Sequence, residues 1–124
     1  MTIKSSLVSV VDDDESVRES LPDLLREFGF AARTFASAEA FLASDCVAFT
    51  NCLILDIAMP GMTGPDLQRE LARRHQHIPI IFITAHSSGS MRSSVLKQGA
   101  VECLFKPFTD TALLDALNAA LGRS

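Results

Sequence analysis

The 124-residue sequence lacks any run of lysine and arginine, and it lacks an apolar stretch long enough to span a membrane. With a formal net charge of -4, it has no electrostatic footprint for nucleic acid or for an anionic membrane. The amino terminus also lacks the long apolar stretch of a secretory signal. We therefore expect a cytoplasmic chain with no direct nucleic-acid binding and no membrane association, while recognition of other proteins stays open.

Cysteine is scarce as well. The three cysteines, Cys46, Cys52 and Cys103, are odd in number and are not spaced like metal ligands. We predict reduced thiols and no disulfide framework. Linkers, repeats and low-complexity segments are missing too, so the sequence predicts one globular domain over residues 1–124, large enough to bury a hydrophobic core.

What the sequence does contain is a fivefold alternation of apolar runs with amphipathic stretches. This pattern is typical of an α/β fold in which a parallel sheet is covered by helices on both faces. The predicted strands cover residues 7–11, 31–35, 52–55, 78–83 and 100–105. The first predicted helix begins at Ser16, in capping-box spacing with Glu19, and ends before Gly29. The second and third cover residues 37–43 and 65–74, and the fourth follows the loop 87–90 and ends at Gly99. The fifth has an apolar stripe of Leu113, Leu114, Leu117 and Leu121.

Acidic residues directly follow two of these strands. Four acids occupy positions 12–15 after the first strand, and Asp56 ends the third. Ligand sites of open α/β sheets form at the carboxyl edge, where the strand order reverses. If the order is 2-1-3-4-5, the first and third strands are neighbours about 5 Å apart. Asp12, Asp13 and Asp56 would then crowd into one pocket.

Such a pocket combines a cation site with an anion site. Crowded carboxylates take up protons or recruit a cation, and oxygen ligands at this spacing suit Mg²⁺. Thr84 follows the fourth strand and Lys106 the fifth, so a hydroxyl and an ammonium would approach from the other side and bind an anion. This arrangement describes a site where an aspartate accepts a phosphoryl group.

The residues after the strands form short motifs: Asp12-Asp13, Asp56, Met59-Pro60-Gly61-Met62-Thr63-Gly64, Thr84-Ala85 and Lys106-Pro107-Phe108. These motifs, in this order and at these intervals, resemble the receiver domain of two-component response regulators. The resemblance covers essentially the whole chain and implies a flavodoxin-like (CheY-like) fold with a five-stranded parallel sheet in the order 2-1-3-4-5. Finer details are similar to the receivers of FixJ-type regulators in the LuxR/NarL group. The motifs behind this finer placement are Ser37-Ala38-Glu39-Ala40-Phe41-Leu42 and Lys106-Pro107-Phe108.

The resemblance implies a metal set around a phosphoryl acceptor. Asp56 would accept the phosphoryl group from a phosphohistidine of a sensor histidine kinase or from a small acyl phosphate. Asp13 would bind Mg²⁺ directly and Asp12 mostly through water. Asp56 itself and the main-chain carbonyl of Ala58 would be further ligands.

It also implies a set of groups that hold the phosphoryl oxygens. Lys106 would pair with these oxygens, and Thr84 with the N–H of Ala85 would close on them after transfer. Ala58 would be a further phosphoryl-binding residue. The Lys106–Pro107 peptide bond would be cis. His86, two residues beyond Thr84, would lie at the pocket rim, where side chains affect the access of water.

The function implied is a phosphorylation-controlled switch with slow self-dephosphorylation, not a conventional turnover enzyme. The phosphoryl group would stabilise one arrangement of Thr84 and its loop. The surface of the fourth helix, fifth strand and fifth helix would then bind a partner or form a homodimer with a second copy. An effector domain or a downstream protein target is the partner implied on the output side.

Cys103 departs from the family pattern. Three residues before the lysine that corresponds to Lys106, most receivers carry a Tyr or Phe, and its ring moves inward as the switch threonine moves. With Cys103 in that position, no ring can report the motion of Thr84 from there, and Phe105 and Phe108 are the aromatic residues nearby.

Two other readings compete with the receiver. Asp12-Asp13-Asp14-Glu15-Ser16 nearly fits the start of haloacid-dehalogenase-like phosphatases, which would make Asp12 the nucleophile and Asp14 the acid/base. A degenerate receiver would act only as a binding module, although such modules normally lose Asp56 or Lys106. The acceptance of one phosphoryl group on Asp56 separates these alternatives.

Overall fold

The computed structural model describes residues 6–85 and 89–122. Within them, five parallel strands form one sheet in the order β2-β1-β3-β4-β5, as the sequence predicts. The strands are β1 (Leu7–Val11), β2 (Ala31–Phe35), β3 (Cys52–Asp56), β4 (Ile80–Thr84) and β5 (Glu102–Phe105). The helices are α1 (Glu15–Glu27), α2 (Ala38–Ala43), α3 (Gly64–Arg73), α4 (Gly89–Lys97) and α5 (Asp110–Ala120), with a short 3-10 helix at Val47–Phe49.

Two hydrophobic layers enclose the sheet, because successive side chains of a strand point to opposite faces. On one face, Phe82 and Cys103 pack with residues of α2, α3 and α4. On the other face, Ile81 and Ile83 pack with α1 and α5. β3 and β4 are buried along their whole length, as expected for strands covered on both sides.

The start of α1 differs from the prediction. Asp14, and not Ser16, is the N-cap residue, and its side chain accepts a hydrogen bond from the Ser16 N–H at 2.9 Å. Both residue types are good caps, and the Ser16–Glu19 spacing could not decide between them. The cap therefore lies two residues earlier than predicted, and the helix begins at Glu15, the last of the four acids.

Two strands begin later than their apolar runs. β4 starts at Ile80 instead of residue 78, because Pro79 has no N–H to donate to a neighbouring strand. β5 starts at Glu102 instead of residue 100, because the Ala100 N–H donates to the Val95 carbonyl at the end of α4. Neither shift moves the carboxyl ends, so the predicted convergence of polar residues is unaffected.

Helices of the described ranges are too short or too polar to cross a membrane.

Candidate phosphoryl-acceptor site

Three carboxylates meet at the carboxyl edge of the sheet. Asp12 and Asp13 follow β1, Asp56 ends β3, and the register pairs Val11 with Leu55. One ligand oxygen from each acid lies within 4.8 Å of the others. Asp12 and Asp56 are buried, whereas Asp13 is exposed. The sheet thus brings together the three acids that the sequence assigns to one pocket.

Asp12 is held from three directions. Its Oδ2 accepts a hydrogen bond from the Lys106 Nζ at 2.9 Å, and its Oδ1 accepts one from the Asp14 N–H at 2.9 Å. Its main-chain carbonyl accepts a third from the Arg18 guanidinium at 2.9 Å. Asp12 has no exposed surface, so these contacts replace water around the carboxylate and its backbone.

Lys106 reaches this pocket from the last strand. Its N–H donates to the Thr84 carbonyl at 2.8 Å, which extends the β4–β5 pairing by one residue beyond β5. The Lys106–Pro107 peptide bond is cis, as predicted. The lysine side chain is 21% exposed, so its ammonium is still accessible to an incoming anion.

The surroundings of Asp56 disfavour the ionised form of its carboxyl group. Burial and the nearby Asp12 carboxylate raise the pKa of Asp56, whereas Lys106 and the Ala58 N–H lower it, and together these influences bring it to about 7. A cation between the three acids would remove much of this penalty. The local electrostatics therefore favour a bound cation whenever all three acids are ionised.

The remaining predicted residues lie at the ends of β3 and β4. Thr84 is 4% exposed and ends β4, the strand beside β3. Ala85 and Ala58 are exposed and follow β4 and β3, respectively. Thr84, Ala85 and Ala58 thus lie at the carboxyl ends of two neighbouring strands, at the same edge of the sheet as the acids. His86 lies outside the described residues.

Comparison with known proteins agrees with this geometry. The sequence profile of the response regulator receiver domain matches residues 8–118. The chain belongs to this family. The family match confirms the identification made from the sequence, and the strand order confirms the predicted fold class. Receiver domains act in phosphorylation-dependent signalling by two-component systems.

Individual relatives support the finer placement. The chain is 48% identical over 118 residues to nodulation protein W of Bradyrhizobium diazoefficiens, covering 95% of this chain and 52% of that protein. The structure of response regulator StyR matches with a TM-score of 0.87 and 47% identity over 95% of this chain and 60% of that one. The FixJ-N crystal structure matches with a TM-score of 0.86 and 38% identity, over 98% of both chains. The receiver spans about half the length of the curated relatives it matches.

Two residues of this receiver site were not singled out from the sequence. Arg18 fixes the Asp12 carbonyl, and Glu39 of α2 accepts a hydrogen bond from the Met62 N–H at 3.2 Å. Glu39 thereby anchors the loop between Asp56 and α3. An arginine one turn into α1 and an acid in a short helix have no distinctive spacing, so no local signal in the sequence points to either contact.

The phosphatase reading is wrong, since the family is that of the receivers. The geometry agrees: the Asp14 carboxylate, its proposed acid/base, is occupied as a helix cap and also accepts from the Ser16 hydroxyl at 2.7 Å. Asp12, its proposed nucleophile, is completely buried and paired with Lys106. Neither acid is placed for the role that the phosphatase requires.

Cys103 lies in the hydrophobic layer on the α4 side of the sheet. It is 3% exposed, and burial raises the pKa of its thiol. The thiol is therefore protonated at neutral pH and packs as a small apolar group.

Proposed function

We propose that Asp56 of this receiver accepts a phosphoryl group. A carboxylate oxygen of Asp56 attacks phosphorus and forms a new P–O bond, while the bond to the donor breaks and the donor's leaving group takes up a proton where its basicity requires it. The observation that carries this proposal is the meeting of Asp12, Asp13 and Asp56 with Lys106 at one sheet edge.

The acidic residues fit Mg²⁺. Receiver domains generally bind this ion at an acidic pocket, and three carboxylates with oxygens within 4.8 Å supply the hard ligands that it prefers. We assign Asp13 and Asp56 as direct ligands, Asp12 as a ligand mostly through water, and the Ala58 carbonyl as a further one. When bound, the ion neutralises the charge that develops on the transferring phosphoryl group.

The opposite side of the pocket holds the phosphoryl oxygens. The Lys106 ammonium exchanges part of its contact with Asp12 for these oxygens. The Thr84 hydroxyl and the Ala85 N–H donate hydrogen bonds to them after transfer. The resulting arrangement of β4 and its following loop is the signalling state, because the phosphoryl group binds it better than the unphosphorylated arrangement.

Incubation with acetyl phosphate and Mg²⁺, followed by intact mass measurement, tests the proposal. The wild type should gain one phosphoryl group, Asp56→Asn should gain none, and Asp12→Asn should be labelled less because its metal site is weakened. Labelling that persists in Asp56→Asn would contradict the assignment of Asp56 as the acceptor. An unlabelled wild type would indicate a degenerate module that acts by binding alone.

The physiological partners follow from the family in general terms. Receivers interact with sensor kinases and effector domains, and relatives such as FixJ are transcriptional regulators. For this chain we propose a cytoplasmic location and a sensor histidine kinase as phosphodonor. We propose an effector domain or a separate protein target as the recipient of the signal.

We further propose the face formed by α4, β5 and α5 as the output surface and a second copy of the chain as its occupant. The ionisable residues of α4, Arg92 and Lys97, are basic, whereas those of α5, Asp110 and Asp115, are acidic. A two-fold axis would bring α4 of one copy opposite α5 of the other, which makes the face self-complementary. Size-exclusion chromatography with and without beryllofluoride tests this: a phosphorylation-independent monomer would contradict it.

A further inference from the structure

We infer that Phe105 transmits the phosphorylation state of Asp56 to the α4–β5–α5 surface by moving its ring into the groove beside Cys103. The inference rests on the proposed function, since it requires Thr84 to respond to a phosphoryl group. The family pattern expects the moving aromatic ring at position 103, whereas this inference places it two positions later, at Phe105.

The register of the sheet makes Phe105 a direct neighbour of Thr84. β4 and β5 pair Thr84 with Phe105 and Phe82 with Cys103. Paired residues of adjacent parallel strands project to the same face, and residues two apart along one strand do so as well. Thr84, Phe105 and Cys103 therefore share the face of the sheet that α4 covers.

Phe105 is far more exposed to solvent than Thr84 and Cys103 are. Thr84 and Cys103 are 4% and 3% exposed, whereas Phe105 is 37% exposed. Phe105 is thus a large apolar side chain left partly in water at the end of an edge strand. A position that buries the ring more deeply would be favoured by the hydrophobic effect as soon as its neighbours allow it.

A groove large enough for the ring lies next to it. The groove runs along the outer side of β5 and has a volume of about 570 Å³, with Cys103 and Phe105 in its lining. For comparison, an apolar cavity of about 150 Å³ can hold benzene. Cys103 leaves room in this lining, because a thiol fills less volume than an aromatic side chain at the same position would occupy.

The groove also connects to the proposed output surface. The Arg92 guanidinium of α4 lies 2.8 Å from Glu102 Oε1 on β5, and both residues line the groove together with Phe108. A ring that enters here replaces water between α4 and β5. Its entry therefore changes both the apolar surface around β5 and the environment of the Arg92–Glu102 ion pair.

The coupling is energetic and reciprocal. If the Thr84 hydroxyl is held by the phosphoryl group, its side chain moves away from Phe105 and the ring gains access to the groove. Conversely, an inward ring favours the arrangement of Thr84 that binds the phosphoryl group. The ring transmits the phosphorylation state only if its preference for the inward position depends on the position of Thr84.

The sequence offers a clean probe, because it contains no tryptophan and no tyrosine. In the Phe105→Trp variant, the single indole reports its own exposure by its emission wavelength and by acrylamide quenching. Upon phosphorylation by acetyl phosphate and Mg²⁺, we expect a shift of the emission to shorter wavelength and an at least twofold fall in the quenching constant. The Phe49→Trp variant is the matched control, since Phe49 is 69% exposed and lies before β3, away from the carboxyl edge.

Intact mass on the same samples distinguishes two failures. A phosphorylated Phe105→Trp chain with unchanged emission and quenching overturns the role of Phe105 and leaves the proposed function in place. A wild type that gains no phosphoryl group overturns both. Adding Cys103→Phe to the probe variant should suppress the shift, because the new ring fills the groove; an undiminished shift would contradict the proposed path of the ring.

A second measurement avoids the larger indole. Uniform incorporation of fluorophenylalanine gives resonances from the eight phenylalanines, and Phe105→Leu identifies the one from position 105. We expect phosphorylation of the labelled wild-type sequence to move this resonance and to reduce its solvent-induced shift. A resonance that is unchanged in a fully phosphorylated sample refutes the inference.

Discussion

The Nζ of Lys106 lies 2.9 Å from the Oδ2 of Asp12, although 94 residues separate them in the chain. This contact links the carboxyl ends of β1 and β5 across the sheet edge. It also gives the buried Asp12 carboxylate a cation before any metal or phosphoryl group arrives. The same lysine therefore has a structural role in the free protein and a proposed chemical role during phosphorylation.

Lys106→Met should destabilise the metal-free protein. The variant leaves a fully buried carboxylate without its cation, so the free energy of unfolding should fall by roughly 2–4 kcal/mol. Urea denaturation at pH 7 in the presence of EDTA measures this. Adding Asp12→Asn should recover part of the loss, and Lys97→Met, at an exposed lysine of α4, should change stability by less than about 0.5 kcal/mol.

Gly64→Ala should disrupt the loop that follows Asp56. A Cβ at Gly64 would lie 2.4 Å from the Asp56 carbonyl oxygen and 3.0 Å from the Ile57 Cα, and neither backbone atom can move freely. We expect a loss of about 2 kcal/mol or more in stability, as for an overpacked core, together with slower phosphorylation. Gly89→Ala is the control, because a Cβ there meets nothing within 4 Å. Equal stability of the two variants would contradict the steric argument.

The sequence predicts the site better than it predicts the ends of the elements. Strand order and polar residues at strand ends suffice to bring Asp12, Asp56 and Lys106 together, because the geometry of a parallel sheet determines where its carboxyl ends lie. Caps are harder to predict: Asp14 and Ser16 are both residue types that cap helices well, so either could start α1. The exposure of Phe105 was not predicted either: the strand order places β5 at the edge of the sheet, but the apolar run does not show how far the helices cover its last residue.

Hydrogen bonds between residues of different elements were the features that the sequence predicted least well. The Arg18 bond to the Asp12 carbonyl and the Glu39 bond to the Met62 N–H depend on the packing of α1 and α2 against the sheet. Their residue types are ordinary for helix surfaces. The sequence thus predicts the residues that carry chemistry, whereas those that support them require coordinates.

Asp13→Asn should weaken Mg²⁺ binding, because it removes one of the three clustered negative charges. We expect the dissociation constant to rise roughly tenfold or more, measured by isothermal titration calorimetry without phosphodonor. Asp14→Asn is a close control: Asp14 lies next in the chain but outside the cluster, and asparagine is an equally good helix cap. If both variants lost the same affinity, the general acidity of the turn, and not a specific ligand set, would account for binding.

Asp56→Asn should make metal-free stability less dependent on pH. The folded-state pKa of Asp56 is raised from 3.8 to about 7, so the folded protein binds this proton more tightly than the unfolded chain does. The stabilisation from the protonated acid is fully present below about pH 4 and is lost as the pH rises through 7.

The variant should therefore match the wild type near pH 4 and exceed it at pH 8 by about 3 kcal/mol. Urea denaturation across this range in EDTA measures the difference, with Asp115→Asn, at an exposed aspartate of α5, as the control. Saturating Mg²⁺ should shrink the gap at pH 8, because the ion compensates the charge that asparagine removes. A gap that is constant with pH would mean that packing around residue 56, and not the ionisation of its carboxyl group, sets the stability difference.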